Sequence, residues 1–180
     1  MNDAVVVKVG GGLLGAEGLQ GLRRGVAEVL ELARERPVLV VPGGGPFADV
    51  VRALDAQVGL GDAVAHRLAL QAMDQLGVLL APMLPGVELV RRLVAPRSLG
   101  LLVAAAAFAG RPDVPESWDV TSDSLAVLAA GAIGAKEAIL LKPVDGAAVD
   151  PYLRTAVART GVVVDVRAPG SRSGTRITPG

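Results

Sequence analysis

The chain has 180 residues with 18 basic and 18 acidic side chains, so its net charge is zero and gives no bulk attraction for nucleic acid or an anionic membrane. Only 2% of the residues are aromatic, which removes the base-stacking platform of single-stranded nucleic-acid binders. The chain has no cysteine, which excludes disulfides and thiolate metal sites and is typical of a cytoplasmic protein.

The first predicted strand runs straight into three glycines. Residues 4–9 are a β-branched run, predict a buried central strand, and are followed by Gly10, Gly11 and Gly12. Lys8 lies inside this run, and a buried cation is costly unless it meets an anion. Consecutive glycines let backbone N–H groups approach a ligand, and a following helix adds the positive end of its dipole. A phosphate site and a tight turn with a lysine that reaches solvent explain these residues about equally well.

The same strand-to-glycine pattern then repeats. A helical pattern over 17–36 stops before Pro37, and a second buried strand covers 38–41. This strand is followed by three more glycines and by a helix that begins near Pro46: Gly43, Gly44 and Gly45. Close packing of the helix on the sheet explains the second loop alone, but two such loops in one domain favour two anionic groups held near each other.

The middle of the chain continues to alternate between helix and strand patterns. We expect a long helix over 62–80, short strands at 87–90 and 99–106, and a loop at 110–120. The longest apolar run, 99–110, is shorter than the about 20 residues that span a bilayer, and the first residues lack the pattern of a signal peptide. We therefore expect no membrane partner.

The last third completes an α/β pattern. It predicts a helix, a strand, a turn, a short helix, a last strand and a Gly/Pro/Arg-rich tail, in the order 121–132, 137–142, 143–149, 151–160, 162–166 and 167–180. Repeated βαβ units favour a mostly parallel sheet with helices on both faces. We expect one domain over residues 1–166 and a tail without periodicity over 167–180.

Two further segments carry residues of interest. Thr121 or Ser122 could cap the helix that follows, and Asp123 lies in its first turn, where the dipole favours a carboxylate. Capping alone explains Asp123 about twice as well as a role in holding Lys8. The segment LLKPVDG places Asp145 and Gly146 after a strand end, which is both an ordinary turn signal and the edge where open α/β sheets contact ligands.

The sequence offers little for other chemistries. His66, the only histidine, lies in an apolar helix and is about four times more often a packed or surface residue than a catalyst. No cluster has metal-ligand spacing, so we expect no protein metal site. Asp119, Asp123 and Asp145 could reach Mg²⁺ only through a bound nucleotide.

Taken together and in this order, these segments resemble the amino acid kinase superfamily over about residues 4–166. The resemblance implies an αβα sandwich that transfers the γ-phosphoryl group of ATP, with Mg²⁺, to a small anionic substrate bearing a carboxylate or a phosphate. Three stretches resemble the branch that phosphorylates aminomethyl-furanmethyl phosphate in methanofuran synthesis: VVPGGGPFADVVR, AHRLALQAMDQLG and WDVTSDSLAVLAA.

The resemblance also implies roles for residues. Lys8 would neutralise charge on the transferring phosphoryl group, and Asp123 would orient Lys8. The remaining roles fall on loop residues: Gly10, Gly11 and Gly12 on the phosphate path, Lys142, Asp145 and Gly146 towards the nucleotide, and Gly43, Gly44 and Gly45 around the acceptor. Transfer would be in line, without a covalent enzyme intermediate.

The chain departs from the family pattern at its end. Only about fourteen residues follow the strand at 162–166, and they contain no lysine where relatives commonly have a second one. Arg172 or Arg176 could substitute. The alternative function is therefore a non-catalytic subunit that binds a ligand or a partner protein. For either function we expect a homo-oligomer, or a hetero-oligomer with a partner chain, because an apolar chain with few charges tends to cover one surface.

Overall fold

The computed structural model describes residues 3–180, which form a seven-stranded sheet with helices on both faces. The strands are β1 Val5–Val9, β2 Val38–Pro42, β3 Glu88–Val90, β4 Leu99–Leu102, β5 Glu137–Leu141, β6 Val163–Arg167 and β7 Thr175–Ile177. The helices are α1 Gly11–Leu32, α2 Gly45–Val58, α3 Asp62–Leu80, α4 Ala104–Phe108, α5 Ser122–Ile133 and α6 Leu153–Thr160, with a 3₁₀ turn at Ala81–Met83.

The sheet is parallel except at one edge. Its order is β3-β4-β2-β1-β5-β6-β7, and only β7 runs antiparallel to its neighbour. Lys8 of β1 lies beside Val41 of β2 on one side and Leu140 of β5 on the other. The expected α/β class with a mostly parallel sheet is confirmed, and β1 and β5 are adjacent although 127 residues separate the end of β1 from the start of β5.

The alternation of β1 side chains determines where Lys8 points. Val5, Val7 and Val9 belong to the core that α1 covers, whereas Ala4 and Val6 belong to the core that α5 covers. Successive side chains of a strand point to opposite faces. The even-numbered Lys8 therefore lies on the α5 face of the sheet.

Two predicted element boundaries differ from the structure. The apolar run 99–106 is not one strand: β4 ends at Leu102, and Ala104–Phe108 form α4. The carboxylate of Asp74 on α3 accepts the N–H groups of Ala104 (2.5 Å) and Ala105 (3.2 Å), so it caps this short helix. Helix α1 starts at Gly11 rather than near residue 17, and Gly18, with φ +59°, interrupts its helical geometry.

The end of the chain is part of the sheet. No periodicity marked 167–180, yet Thr175–Ile177 form β7 against β6. The N–H of Gly170 donates to Glu28 Oε2 of α1 at 2.8 Å, and Arg167 Nη1 lies 2.6 Å from Glu28 Oε1. These contacts hold the final residues against both the sheet edge and α1. Within residues 3–180, no helix is both long and apolar enough to cross a membrane.

Candidate active site

A buried carboxylate lies between two lysines at the carboxyl edge of the sheet. Asp123 Oδ1 is 2.7 Å from Lys8 Nζ, and Asp123 Oδ2 is 2.6 Å from Lys142 Nζ. Lys8 and Asp123 are both 3% exposed, and the Lys142 side chain is 14% exposed. Lys142 also donates to the backbone oxygen of Ala148 at 2.9 Å. We call these three side chains the lysine–aspartate cluster; together they carry two positive charges and one negative charge.

Electrostatics couple the members of this cluster. Burial raises the pKa of Asp123, but the neighbouring Lys8 and Lys142 ammonium groups outweigh it, so the pKa lies below the ordinary value of 3.8. Burial also lowers the pKa of Lys8 below 10.5, against the attraction of Asp123 and with the help of repulsion from Lys142. Asp123 is therefore ionised at neutral pH, and its charge opposes the loss of the Lys8 proton.

The cluster assembles from three separate segments. Lys8 lies near the end of β1, Lys142 directly follows β5, and Asp123 lies in the first turn of α5. A carboxylate in the first turn of a helix is stabilised by the helix dipole. Because β1 and β5 are adjacent parallel strands, both lysines reach the same sheet edge.

A second buried carboxylate fixes the start of α5. Asp150 Oδ2 accepts the N–H and the hydroxyl of Thr121 at 2.9 and 2.8 Å and the N–H of Ser124 at 3.0 Å, and Asp150 Oδ1 accepts the Ser124 hydroxyl. Thr121 is the N-cap residue but makes no side-chain capping bond of its own. Asp150, from the segment before α6, supplies the cap instead and positions the turn that carries Asp123.

The two glycine loops pack backbone against backbone. A Cβ on Gly11 would overlap the nitrogen of Gly45, and a Cβ on Gly43 would overlap the nitrogen of Gly11. Gly45 has φ +53°, a conformation that side chains disfavour. Contact between the two loops therefore explains several of the glycines. The sequence had offered a tight turn for the first loop and close packing of a helix on the sheet for the second, and neither included this contact. By contrast, a Cβ on Gly12 would meet only Pro143, and one on Gly15 would meet nothing within 4 Å.

A cavity of about 400 Å³ opens in front of the lysine–aspartate cluster. Its walls include the first residues of three helices: Gly11 and Gly12 of α1, Gly44 and Gly45 before and in α2, and Thr121 and Ser122 before and in α5. The first N–H groups of a helix have no intrahelical acceptor, and its N-terminus carries partial positive charge. Three such termini and two lysines suit phosphate oxygens.

The predicted site residues separate into four groups, of which Gly146 forms the last. Lys8, Gly11, Gly12, Gly44, Gly45, Asp123 and Lys142 line this cavity. Gly10 and Gly43 are not among its lining residues: Gly43 supports the loop packing, whereas a Cβ on Gly10 would overlap the backbone oxygen of Leu141 in β5. Asp145 is also outside it: its carboxylate accepts the Ala168 N–H at 2.8 Å and the Ser171 hydroxyl at 2.6 Å, which lower its pKa.

Gly146 lines a second cavity of about 410 Å³ beside β6 and β7. Its walls include Arg154, Thr175 and Arg176, whereas Arg172 is not among them. Ala147 and Ala148 line both cavities, so the loop that carries them separates the two spaces. The second cavity depends on β7, an element that no sequence pattern indicated.

Several residues that line the first cavity were not predicted as site residues from the sequence. Asp49 and Arg52 of α2, His66 and Met73 of α3, and Trp118 before α5 all line it. His66, expected to be a packed or a surface residue, is packed, with 7% exposure, and it also lines the cavity. Burial lowers the pKa of His66, against the attraction of Glu116.

Metal ligands do not cluster in this part of the molecule. Across residues 3–180, no group of three or more His, Asp or Glu side chains is placed to hold a metal ion. The donors around the first cavity are instead ammonium groups and helix N-termini, which fit anionic oxygens. A divalent ion carried on phosphate groups is compatible with this donor set.

Comparison with known proteins identifies the family. A sequence model of the amino acid kinase family matches residues 3–148. A [5-(aminomethyl)furan-3-yl]methyl phosphate kinase of Methanocaldococcus jannaschii is 26% identical over 148 residues, which cover 78% of this chain and 66% of that protein, slightly less than two thirds.

Solved structures support the same fold. Uridylate kinase of Archaeoglobus fulgidus superposes with a TM-score of 0.72 at 19% identity, over 97% of this chain and 99% of that one. Aspartate kinase of Synechocystis superposes with a TM-score of 0.73 at 14% identity, over 98% of this chain but 40% of that one. At these identities the likeness establishes the architecture alone.

Proposed function

Because the chain belongs to the amino acid kinase family, we propose that it is an ATP-dependent phosphotransferase acting on a small anionic substrate. The observation that carries this proposal is the lysine–aspartate cluster, in which Asp123 contacts Lys8 and Lys142 at the wall of a cavity that three helix N-termini also line. This arrangement concentrates positive potential where a phosphoryl group would carry negative charge.

In the proposed mechanism the two ammonium groups stabilise charge on the transferring phosphoryl group. Lys8 and Lys142 act from adjacent strands, and Asp123 holds both in a fixed orientation. Phosphoryl transfer needs little covalent chemistry from a protein, so positioning and charge stabilisation supply most of the catalysis. Bound ATP would supply the transferable phosphoryl group, and its Mg²⁺ would supply further positive charge. Lys142 would then take the part of the second lysine that the tail lacks.

The sheet order suggests where each substrate lies. Across the sheet, β2 with the following α2 lies on one side of β1, which carries Lys8. On the other side lie β5, which Lys142 follows, and then β6 and β7. The second cavity, lined by Gly146 and Arg176, lies on the β6–β7 side. We assign the nucleotide to that side and the acceptor to the α2 side, so that the phosphoryl group crosses at the lysine–aspartate cluster between them.

The proposed acceptor is a phosphate ester. The M. jannaschii relative is named for a substrate that carries a phosphate on a furan-ring methyl group, and Gly44 and Gly45 at the N-terminus of α2 line the first cavity on the side that we assign to the acceptor. Gly44 and Gly45 would hold acceptor oxygens, while Gly11 and Gly12 line the path of the phosphoryl group. We further propose a place in the synthesis of a methanofuran-type cofactor, in the cytoplasm.

We also propose that the chain forms a homo-oligomer. Val50, Leu54 and Val58 lie one helical turn apart on α2 and are 69%, 42% and 62% exposed. An apolar stripe of this kind on a helix favours an interface with a second copy. Sedimentation at micromolar concentration should show a species larger than the monomer, and a single monomeric species would refute the interface.

The test of the proposed function compares two of the three lysines of the chain, Lys8 and Lys136. ADP release is followed while phosphate esters and carboxylates are supplied as acceptors, including the furan phosphate named for the relative. Lys8→Ala should lower turnover by about 10³-fold or more, since a lost charge clamp in phosphoryl transfer costs roughly 10³–10⁵-fold. The matched control is Lys136→Ala, because Lys136 is exposed after α5 and lines neither cavity. Equal turnover in the two variants would refute the assignment.

A further inference from the structure

Three residues at the α2–α3 end of the first cavity take no part in the mechanism above. Arg52 and Trp118 line this end together with the buried His66. Since burial lowers the pKa of His66, Arg52 is the cation that this wall offers at neutral pH. The following argument rests on the proposed function, because it concerns the acceptor side of the same cavity.

The Arg52 guanidinium is held over an aromatic ring. Its central carbon lies 4.7 Å from the centroid of the Trp118 ring, a cation–π geometry. Trp118 is in turn anchored, because its indole N–H donates to Asp55 Oδ2 at 2.8 Å, and Asp55 Oδ1 accepts the N–H of Leu60 at 2.9 Å. The ring therefore has one orientation, set from the end of α2.

Arg52 keeps its capacity to bind an anion. Its ion pair is with Asp49 at 3.3 Å, and the two side chains are 48% and 71% exposed. Ion pairs of this kind between exposed side chains are weak, so an incoming anion can displace Asp49 at little cost. A guanidinium also presents a planar set of donors that matches two phosphate oxygens.

We propose that Arg52, positioned by Trp118, binds the phosphate of the acceptor and selects phosphate esters over uncharged acceptors. Arg52 contacts the substrate, whereas Trp118 is a positioning residue that acts through Arg52. The cavity of about 400 Å³ is small enough for one compact acceptor to touch this wall and the lysine–aspartate cluster at once.

Binding without nucleotide tests the proposal directly. Trp118 is the only tryptophan, so its fluorescence reports on this wall. Titration with inorganic phosphate and with benzyl phosphate should change the emission saturably. Arg52→Gln should weaken both by about 10-fold to 100-fold, as expected for loss of a hydrogen-bonded charge. The control Arg67→Gln removes an equal charge from the exposed face of α3 and should change either affinity less than about 2-fold.

The role of Trp118 is tested by calorimetry, because its substitution removes the fluorophore. Trp118→Leu should weaken benzyl phosphate binding about 2-fold to 5-fold. Trp118→Phe should keep most of the wild-type affinity, since a phenyl ring keeps a cation–π face. In steady-state kinetics, Trp118→Leu should raise KM for the acceptor and leave KM for ATP unchanged. A purely structural role would move both constants.

The outcomes separate this inference from the proposed function. Equal affinities in Arg52→Gln and wild type, or no binding of either phosphate probe to wild type at millimolar concentration, would overturn the role of Arg52. A parallel titration with Mg²⁺ and a non-hydrolysable ATP analogue then shows whether the kinase assignment still stands. Nucleotide binding without phosphate-probe binding would leave the kinase and remove the Arg52 proposal.

Discussion

Replacing Asp123 with asparagine removes the charge that separates the buried Lys8 from the half-buried Lys142 while keeping the size of the side chain. Each ammonium nitrogen lies 2.6–2.7 Å from a carboxylate oxygen. With charge centres about 4 Å apart and an effective dielectric constant of about 20, each pair is worth about 4 kcal/mol before desolvation. Removal of one partner from a buried ion pair costs about 3–5 kcal/mol, because the remaining charge is left uncompensated.

Deprotonation of Lys8 sets an upper limit to this loss of stability. An unpaired Lys8 can lose its proton, and from the ordinary value of 10.5 this costs at most about 5 kcal/mol at pH 7, at about 1.36 kcal/mol per pKa unit. Because burial already lowers the pKa of Lys8, the true limit is smaller. We therefore expect Asp123→Asn to lower the free energy of unfolding by about 3–4 kcal/mol and the melting temperature by roughly 10 °C.

The stability difference between Asp123→Asn and wild type should depend on pH. In the variant, the folded-state pKa of Lys8 falls further below its unfolded value, so the unfolded chain binds more protons and the stability of the variant rises as pH increases towards 10.5. The deficit relative to wild type should shrink between pH 7 and pH 9. It should also shrink in acid, because Asp123 has a lowered pKa and its stabilising charge is lost as pH falls below 3.8.

Urea denaturation at pH 3, 7 and 9 measures this deficit, because the charge of Asp123 begins to be lost only below pH 3.8. Asp119→Asn is the matched control, since Asp119 is exposed in the preceding loop, and it should change stability by less than about 0.5 kcal/mol. A deficit for Asp123→Asn below about 1 kcal/mol at pH 7, or one that is equal at all three pH values, would refute the reasoning.

Three further predictions concern neighbouring residues. Lys142→Met should reduce turnover by about 10³-fold, and turnover within 10-fold of wild type would contradict the role given to Lys142. Gly43→Ala should lower the free energy of unfolding by about 2 kcal/mol or more, because its Cβ would overlap the Gly11 nitrogen. Gly15→Ala should instead raise it by about 0.5 kcal/mol, because a Cβ there meets nothing within 4 Å. Equal stabilities of the two variants in calorimetric melting would disprove the loop packing. Asp150→Ala should cost about 3 kcal/mol or more in urea unfolding, since it removes four hydrogen bonds at the start of α5, and a loss under 1 kcal/mol would contradict this.

Local sequence patterns were sufficient for most elements of the sheet. The apolar runs of β1, β2 and β5 begin and end within about a residue of their expected positions. The run 99–106 was misread because a short buried strand and a buried helix have the same uniform apolarity. Asp74 decides between them at Ala104, and its contact comes from another helix, thirty residues earlier in the chain.

The candidate site was less predictable because it depends on sheet order. The sequence linked Asp123 with Lys8 but treated Lys142 as a nucleotide contact. The structure places Lys142 on the same carboxylate, because β5 lies beside β1. Their catalytic roles stay predictions. The expected position of Asp145 near the nucleotide also stays a prediction. Its carboxylate accepts the Ser171 hydroxyl, a contact that local sequence could not indicate because it depends on the return of the tail as β7.

No sequence pattern indicated the contact between Arg52 and Trp118. The two residues are 66 positions apart, on α2 and in the loop before α5. A lone tryptophan in a proline-containing loop is the one unusual sequence feature nearby, and it does not by itself indicate a partner. Contacts of this kind follow from tertiary packing and are not encoded in local periodicity.

Calorimetric titration of the purified chain with Mg²⁺ and a non-hydrolysable ATP analogue tests the central claim most directly. The proposed kinase predicts saturable binding to one site, and acceptor screening would follow. No binding at millimolar nucleotide would contradict a phosphotransferase and would favour the alternative, a non-catalytic member of the family that binds another ligand or a partner protein.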